Sequence, residues 1–325
     1  MLRDIARGED AQIAAIVQII ASVQPDILLL TDFDYDLGGV TLDAFAQSLA
    51  DAGLALPHAF ALRPNAGMAT GLDMDGDGRT GAPRDAQGYG RFAGNGGLAI
   101  LSRWPIRIDD VQDFSGLLWR DLPGAVLPMQ GDQPFPSAAA QAVQRLSSTA
   151  HWSVPIVAPG GDVVLLAWSA TPPVFDGPED MNGLRGRDEL LLWRHHIEGN
   201  LGAAPAGHFV LLGNANLDPF DGDGRRDSIA QMLRHPALID PQPVSAGGAA
   251  ADDPGHSGPP ARDTADWPDN APGNLRVSYV LPSVDWTIVD TGVFWPAPDT
   301  PGADLLGTDG QLAGAHRLVW VELSR

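Results

Sequence analysis

The stretch LLGNANLDPFDGDG, Leu211–Gly224, decides how the chain is read. Its front half continues the apolar run HFVLLGN (208–214), a short buried strand by length and composition. The strand ends in Gly213-Asn214-Ala215-Asn216, and an acidic, glycine-rich loop follows. Polar side chains at a strand end sit on the rim of a sheet, where functional groups gather. The first of them, Asn214, carries an amide. An amide gives and takes hydrogen bonds but is no base near neutral pH.

Working outward, five more apolar runs read as strands: 26–30, 97–103, 162–169, 276–283 and 317–323. Segment 10–23 places Ile13, Ile16, Val17 and Ile20 at helical spacing behind an Asp10 cap. A second helix runs from Thr41, as cap, to a stop at Gly53. A third, 187–199, brings Leu190, Leu191, Trp193 and Ile197 to a core. In the fragment SIAQMLRHP the helix cap is Asp227 or Ser228. Helices and strands alternate loosely, which favours layered α+β over a purely parallel sheet. One domain over 1–325 is expected, with 241–274, rich in Pro, Gly, Ala and Asp, as a long surface loop.

The 325 residues are 44% hydrophobic, enough for a core, and carry a net charge of -21. Such charge repels long nucleic acid and anionic lipid unless metal and a local basic patch (Arg84, Arg91, Arg103, Arg107) compensate. There is no cysteine, hence no disulfide and no thiolate metal site. No apolar run is long enough to span a membrane, and no signal-peptide pattern follows Met1. Oligomeric state is not readable.

In DMDGDGRTG, Asp73, Asp75 and Asp77 alternate ahead of Gly78, as at the start of a calcium loop. Position twelve is Arg84, which no calcium loop uses. The alternative is a solvated polar turn. The acidic run 221–227 is a weaker copy. His195 and His196 point to different sides of their helix, while His151 and His316 lie at strand ends.

The blocks QPDILLLTDFDYD, GGLAILSRWPI, LLGNANLDP, LRVSYVLPS, DTGVFWP and AHRLVWVEL, in this order, resemble the endonuclease/exonuclease/phosphatase family of DNase I-like phosphoesterases. TPPVFDGPED and GNLRVSYVLPSVDW resemble a bacterial, often exported branch of it. The resemblance implies a four-layer sandwich, two packed mixed sheets flanked by helices. It implies attack of water on a phosphate ester assisted by Mg²⁺ or another divalent ion. A strand-end glutamate would hold the metal, a Gly-Asp-x-Asn turn the water and phosphate, and a Ser-Asp-His block a carboxylate and imidazole.

Residue by residue, the chain departs from that pattern. The metal position is Thr31-Asp32, one methylene short of glutamate. A Ser-His pair is Ser169-Ala170; the Gly-Asp-x-Asn turn carries Asn214 in place of the acid. Ser278 replaces an aspartate in the RVSYVLPS block, and Ala315 replaces one before His316. Asn216 and His316 fit unchanged. The strand that opens such folds is expected to be missing, since Met1 stands just ahead of the first helix. Three readings follow: an impaired or inactive homologue that keeps the fold and binds a ligand or partner, a phosphate ester among the candidates; an active enzyme with a site rebuilt from Asp32, Asp34, Asp36 and His316; and a calcium-dependent surface protein acting through loop 73–85. On the first two, the set to inspect is His316, Asn214 and Asn216, with Asp32 and then Asp34 on a metal.

Overall fold

The run Gly97–Ser102 is buried at every position, and its alternation divides the interior into layers. Leu98 and Ile100 share a core with Trp152, Val154, Leu165, Ala167 and Val210. Ala99 and Leu101 face the other way, toward Val17, Ile20, Phe45 and Leu49. In the computed structural model, which describes residues 1–251, 253–268 and 272–325, one core thus lies between two sheets and another between a sheet and helices.

Helices α1 (Leu2–Arg7), α2 (Ala11–Val23) and α3 (Val40–Asp51) form the first layer. Below them lie β1 (Ile27–Phe33), β2 (His58–Phe60) and β3 (Gly97–Ser102), antiparallel in the order β1-β3-β2. The second sheet contains β4 (Gln112–Asp113); a small hairpin, β5 (Met129–Gln130) with β6 (Gln133–Pro134), and helix α4 (Ala138–Val143) follow in the chain. Next come β7 (His151–Ala158), β8 (Gly161–Ser169), helix α5 (Met181–Ile197), β9 (Phe209–Asn214), helices α6 (Arg226–Met232) and α7 (Ala246–Ala250), and β10 (Ser278–Pro282). The second sheet has the order β10-β9-β8-β7-β4, with β8 and β9 parallel. On its outer face Leu166, Trp168, Leu211 and Tyr279 pack against Leu192 and Trp193 of α5 and Ile229 of α6. The sandwich therefore has four layers and mixes α and β as the resemblance implies.

Strands β11 (Thr287–Val293) and β12 (Val319–Ser324) form a separate ribbon. Within the described residues β1 pairs only with β3 and β12 only with β11, so each has one edge without a strand partner. Helix α2 spans both pieces. Its Val17 and Ile20 pack toward β1, and its Ile19 toward Val293 and Trp295.

Several local expectations change. Asp10 caps α2 by accepting from Ile13 N at 3.0 Å, as read. Helix α3 begins at Val40 rather than at a Thr41 cap. Asp36 reaches forward and accepts from Val40 N and Thr41 N at 2.9 and 2.8 Å, a strong anchor for two free donors at a helix start. In α5 Leu192 is fully buried and Leu191 only partly, because Leu192 shares the inward face with Asp188, Glu189 and His196. Helix α6 takes Arg225 as its first flanking residue, and neither Asp227 nor Ser228 caps it. Segment 241–274 is more than a surface loop: it carries α7, a 3-10 turn at Pro260–Arg262, and buried Gly247, Gly248, Thr264 and Ala265. Its residues 252 and 269–271 lie outside the described set. Strand β7 was not read from the sequence. Pro155 and polar Ser153 interrupt its apolar pattern, yet both faces are covered.

Candidate functional site

Pairing in the second sheet builds the site. Parallel β8 sets Ser169 beside Asn214, and antiparallel β10 sets Ser278 on the other side. Gly213 has φ 150°, and a Cβ there would lie 1.9 Å from Trp168 O, so the turn requires glycine. Past the strand end, Ala170 N donates to Asn214 O at 2.8 Å, and Asn216 Nδ2 donates to Ala170 O at 2.7 Å. Asn216 adopts φ 52°, a left-handed conformation that asparagine tolerates better than most residues. Residue 316 bridges to Ala265. The His316 ring stands edge-on to Trp267 at 5.1 Å, with Nδ1 3.5 Å from Ser278 Oγ, the outer limit of a hydrogen bond. The structure thus brings Ala170, Asn214, Asn216, Ser278 and His316 together, with Ala315 next in the chain and accepting from Asp266 N.

This cluster is nearly neutral. Crowding of the rim, then the Arg317 guanidinium, hold His316 low, at about 4. The residue also keeps an exposed edge, and water there screens part of that effect. At neutral pH the imidazole is uncharged either way.

Asp32 sits in an irregularity of β1, at φ 55°, where register shifts between Leu30 and Phe33. Its carboxylate turns toward Gly96, where a Cβ would meet Asp32 Oδ1 at 2.5 Å. Crowding by the adjoining loop and then the Asp34 charge push its pKa up, an effect that water screens in part because the side chain stays exposed. Asp34 is already engaged, accepting from Asn95 Nδ2 and Gly96 N at 3.2 and 3.1 Å. Asp36 is the α3 anchor. So Asp32 and Asp34 both approach Gly96 while Asp36 is held at the start of α3, and no hydrogen bond among the described residues joins Asp32 to the His316 cluster. With Asn214, Ser278 and Ala315 neutral, these residues do not make a tight divalent-metal site.

The acid loop differs from its expected form. Asp73, Asp75 and Asp85 bring ligand atoms within 4.8 Å of one another; Asp77 instead accepts from Arg79 N. Asp85 was missed because it lies outside the alternating motif and is delivered by the turn Pro83–Asp85. The four-arginine patch does not form. Arg103 pairs with Asp26 and Arg107 with Asp162, at the far ends of their strands from Arg84 and Arg91. His195 and His196 do diverge, to Pro123 O and Leu201 O.

A second acidic group was also missed. Buried Asp218 accepts from Phe220 N, Asp221 N and Arg276 N, and Asp263 lies near it. Burial, followed by the Asp218 charge, pushes Asp263 up to about 7. A carboxyl raised from 3.8 binds its proton more tightly folded than unfolded, so its contribution favours the fold in acid and is lost as pH rises from about 4 to 7. Asp263→Asn is therefore expected to be the more stable protein at pH 8, by roughly 2–4 kcal/mol, with the gap closing toward pH 4. Melting curves of both proteins at pH 4 and pH 8 check this; equal stability at pH 8 contradicts it.

Behind the site lies a buried polar clamp. Glu189 of α5 accepts from Ser148 N and Oγ and from Thr171 N, next to Ala170. His151 stacks on Trp193 and reaches Ser147 Oγ and Glu189 O, and burial drives its pKa down to about 3. It is a packed neutral side chain, remote from chemistry. A cleft of about 720 Å³ lies beyond the 217–224 turn, lined by Asp180, Arg187, Arg194 and Arg225 among others, and includes none of Asn214, Asn216, Ser278 and His316.

The model of the Endonuclease/Exonuclease/phosphatase family matches residues 3–309. Among solved structures, an endonuclease/exonuclease/phosphatase from Beutenbergia cavernae is 17% identical with a TM-score of 0.56, over 97% of this chain and 66% of that one. This chain thus spans just under two thirds of that relative. A family protein from Leptotrichia buccalis is 13% identical with a TM-score of 0.53, over 97% and 93%. Sphingomyelinase C from Streptomyces griseocarneus is 13% identical with a TM-score of 0.48, over 97% and 88%. At such identities the likeness speaks for the fold. No curated protein matches the chain.

Proposed function

Because the chain belongs to the endonuclease/exonuclease/phosphatase family, matched over residues 3–309, we propose that it binds a phosphate ester at the Asn214–His316 rim with hydrolysis strongly weakened. The observation that carries this reading is the setting of Asn214. It stands between Ser169 and Ser278, where a water-activating acid belongs, and none of these neighbours is a base. Loss of one general base costs on the order of 10²–10⁴ in rate. What remains suits binding. Asn216 keeps an N–H beyond the one given to Ala170 O, and Ser278 and His316 supply neutral hydrogen-bonding groups. Members of the family usually depend on a divalent metal; here Asp32, with Asp34 near it, would hold one only weakly.

The second reading, a rebuilt site, draws on Asp32, which makes no side-chain hydrogen bond among the described residues and is aimed at Gly96. Hydrolysis of a chromogenic phosphodiester with Mg²⁺ or Mn²⁺ tests both. Little or no turnover, with the diester still bound, is expected. Robust metal-dependent turnover abolished by Asp32→Ala or His316→Ala overturns the weakened reading in favour of the rebuilt one.

Calcium at loop 73–85 is a separate proposal, supported by the three convergent carboxylates. Millimolar Ca²⁺ is then expected to raise the melting temperature by a few degrees, because an ion held by the folded loop stabilises it. Asp85→Asn removes that gain. An unchanged melt in Ca²⁺ leaves a plain polar turn.

A further inference from the structure

The chain has 9 Trp, 3 Tyr and 10 Phe, and among the described residues the exposed ones are Tyr89, Phe92, Phe175 and Phe220. All four lie on loops of one rim. Phe175 and Phe220 follow the ends of parallel β8 and β9, and their loops touch where Gly224 meets Pro173. His151 opens β7 opposite Trp168, so segment 145–150 belongs to the same rim. The loop carrying Tyr89 and Phe92 packs there: Gly88 abuts Ser148 O, and Gln87 accepts from Arg145 N. The loop after β1 joins it, since Tyr35 N donates to Gly94 O and Gly96 N to Asp34. That loop carries Leu37, which is 93% exposed.

Single exposed apolar residues are ordinary, but the exposed aromatics of a whole chain gathered on one rim are not. The charge around them limits the occupant. Asp34, Asp36, Asp176 and Asp221 lie on the same loops and outnumber Arg84 and Arg91 beside the aromatics, the net charge is -21, and the chain has no lysine. Polyanions and anionic bilayers are repelled by such a rim. A zwitterionic bilayer presents ammonium groups outermost, which acids attract, with an apolar boundary below that accepts Phe and Leu.

We propose that this rim docks on a zwitterionic phospholipid surface, with Leu37, Phe175 and Phe220 entering the headgroup–acyl boundary. Docking faces the Asn214–His316 site toward lipid phosphate. In this respect the proposal rests on the phosphate-ester reading, although docking itself needs no hydrolysis.

Flotation of the full chain with phosphatidylcholine vesicles tests it, beside vesicles containing phosphatidylglycerol. The comparison protein carries Leu37→Ser, Phe175→Ser and Phe220→Ser together, exposed positions whose change leaves the core intact. The parent is expected to float with phosphatidylcholine, less so as phosphatidylglycerol is added at low salt. The triple variant should lose at least about tenfold in partitioning. No flotation, flotation equal in the triple variant, tighter binding to anionic vesicles, or aromatic-dependent binding of a short single-stranded oligonucleotide in place of vesicles overturns the proposal. A soluble phosphodiester bound without vesicle binding sinks docking alone. Vesicle binding without any bound diester sinks the phosphate-ester reading and leaves docking standing.

Discussion

Asp32→Glu, Asn214→Asp, Ser278→Asp and Ala315→Asp, made together, are expected to raise Mg²⁺- or Mn²⁺-dependent hydrolysis of a chromogenic phosphodiester by about 10²-fold or more. Each change puts a ligand or base at a position whose backbone is already placed by β1, β9, β10 or the turn before β12. Ala170→His, which the family pattern also asks for, is expected to subtract from the gain. Ala170 is 4% exposed and packed within the outer core, so an imidazole there overpacks it by roughly 1–3 kcal/mol. The carboxylates introduced at 214 and 278 face each other across paired strands, and like charges so placed repel. The metal-free quadruple variant should therefore melt below the parent at pH 8. A divalent ion should recover the loss, because it binds the folded site and not the unfolded chain. A variant that folds, binds metal and still shows no turnover would mean that the scaffold, and not the missing acids alone, has drifted from catalytic geometry.

Glu189→Ala is expected to destabilise the protein by about 3–5 kcal/mol, read from urea unfolding. Glu189 is fully buried and accepts at 2.7 and 2.8 Å from Ser148 and at 2.6 Å from Thr171 N. One turn earlier, buried Arg185 donates to the carbonyls of Leu146, Gln87, Arg145 and Ser147. Burial raises the Glu189 pKa and lowers that of Arg185, and each charge tempers the other's shift. Truncation strands two backbone donors and leaves the guanidinium without its counter-charge. Glu189→Gln keeps the shape but turns an N–H toward at least one of those donors, so a smaller loss, roughly 1–3 kcal/mol, is expected. The clamp ties the 145–148 segment to Thr171, so the alanine variant should also loosen the Ala170–Asn214 contact beside it. A loss below about 1 kcal/mol for Glu189→Ala would show that the pair's desolvation cancels its bonds.

Much of the fold was legible in the sequence because it rests on local periodicity. The runs 97–103, 162–169 and 208–214 are strands in the structure to within a residue or two, since an unbroken apolar run bounded by turn residues has few other uses. Asp10 caps its helix because capping depends on three residues of local chain. Asp36, a candidate for the rebuilt site, anchors α3 instead, and its bonds to Val40 N and Thr41 N were not legible because they depend on the course of the loop between them. Asp85 was missed for a similar reason. It joins Asp73 and Asp75 from a separate turn, and spacing along the chain says nothing about that approach.

From the sequence came the strands and helices, which follow from short-range pattern, while the layers and the meeting of Asn214, Ser278 and His316 on one rim followed from the family resemblance carried by ordered blocks of residues. Tertiary structure alone decided which carboxylates are free. Asp34, Asp36 and Asp218 are each held by backbone donors, and Asp263 is driven toward its protonated form by burial beside another acid. The reason is that a carboxylate's charge and reach are set by the donors and dielectric around it, and those are assembled from segments far apart in the chain.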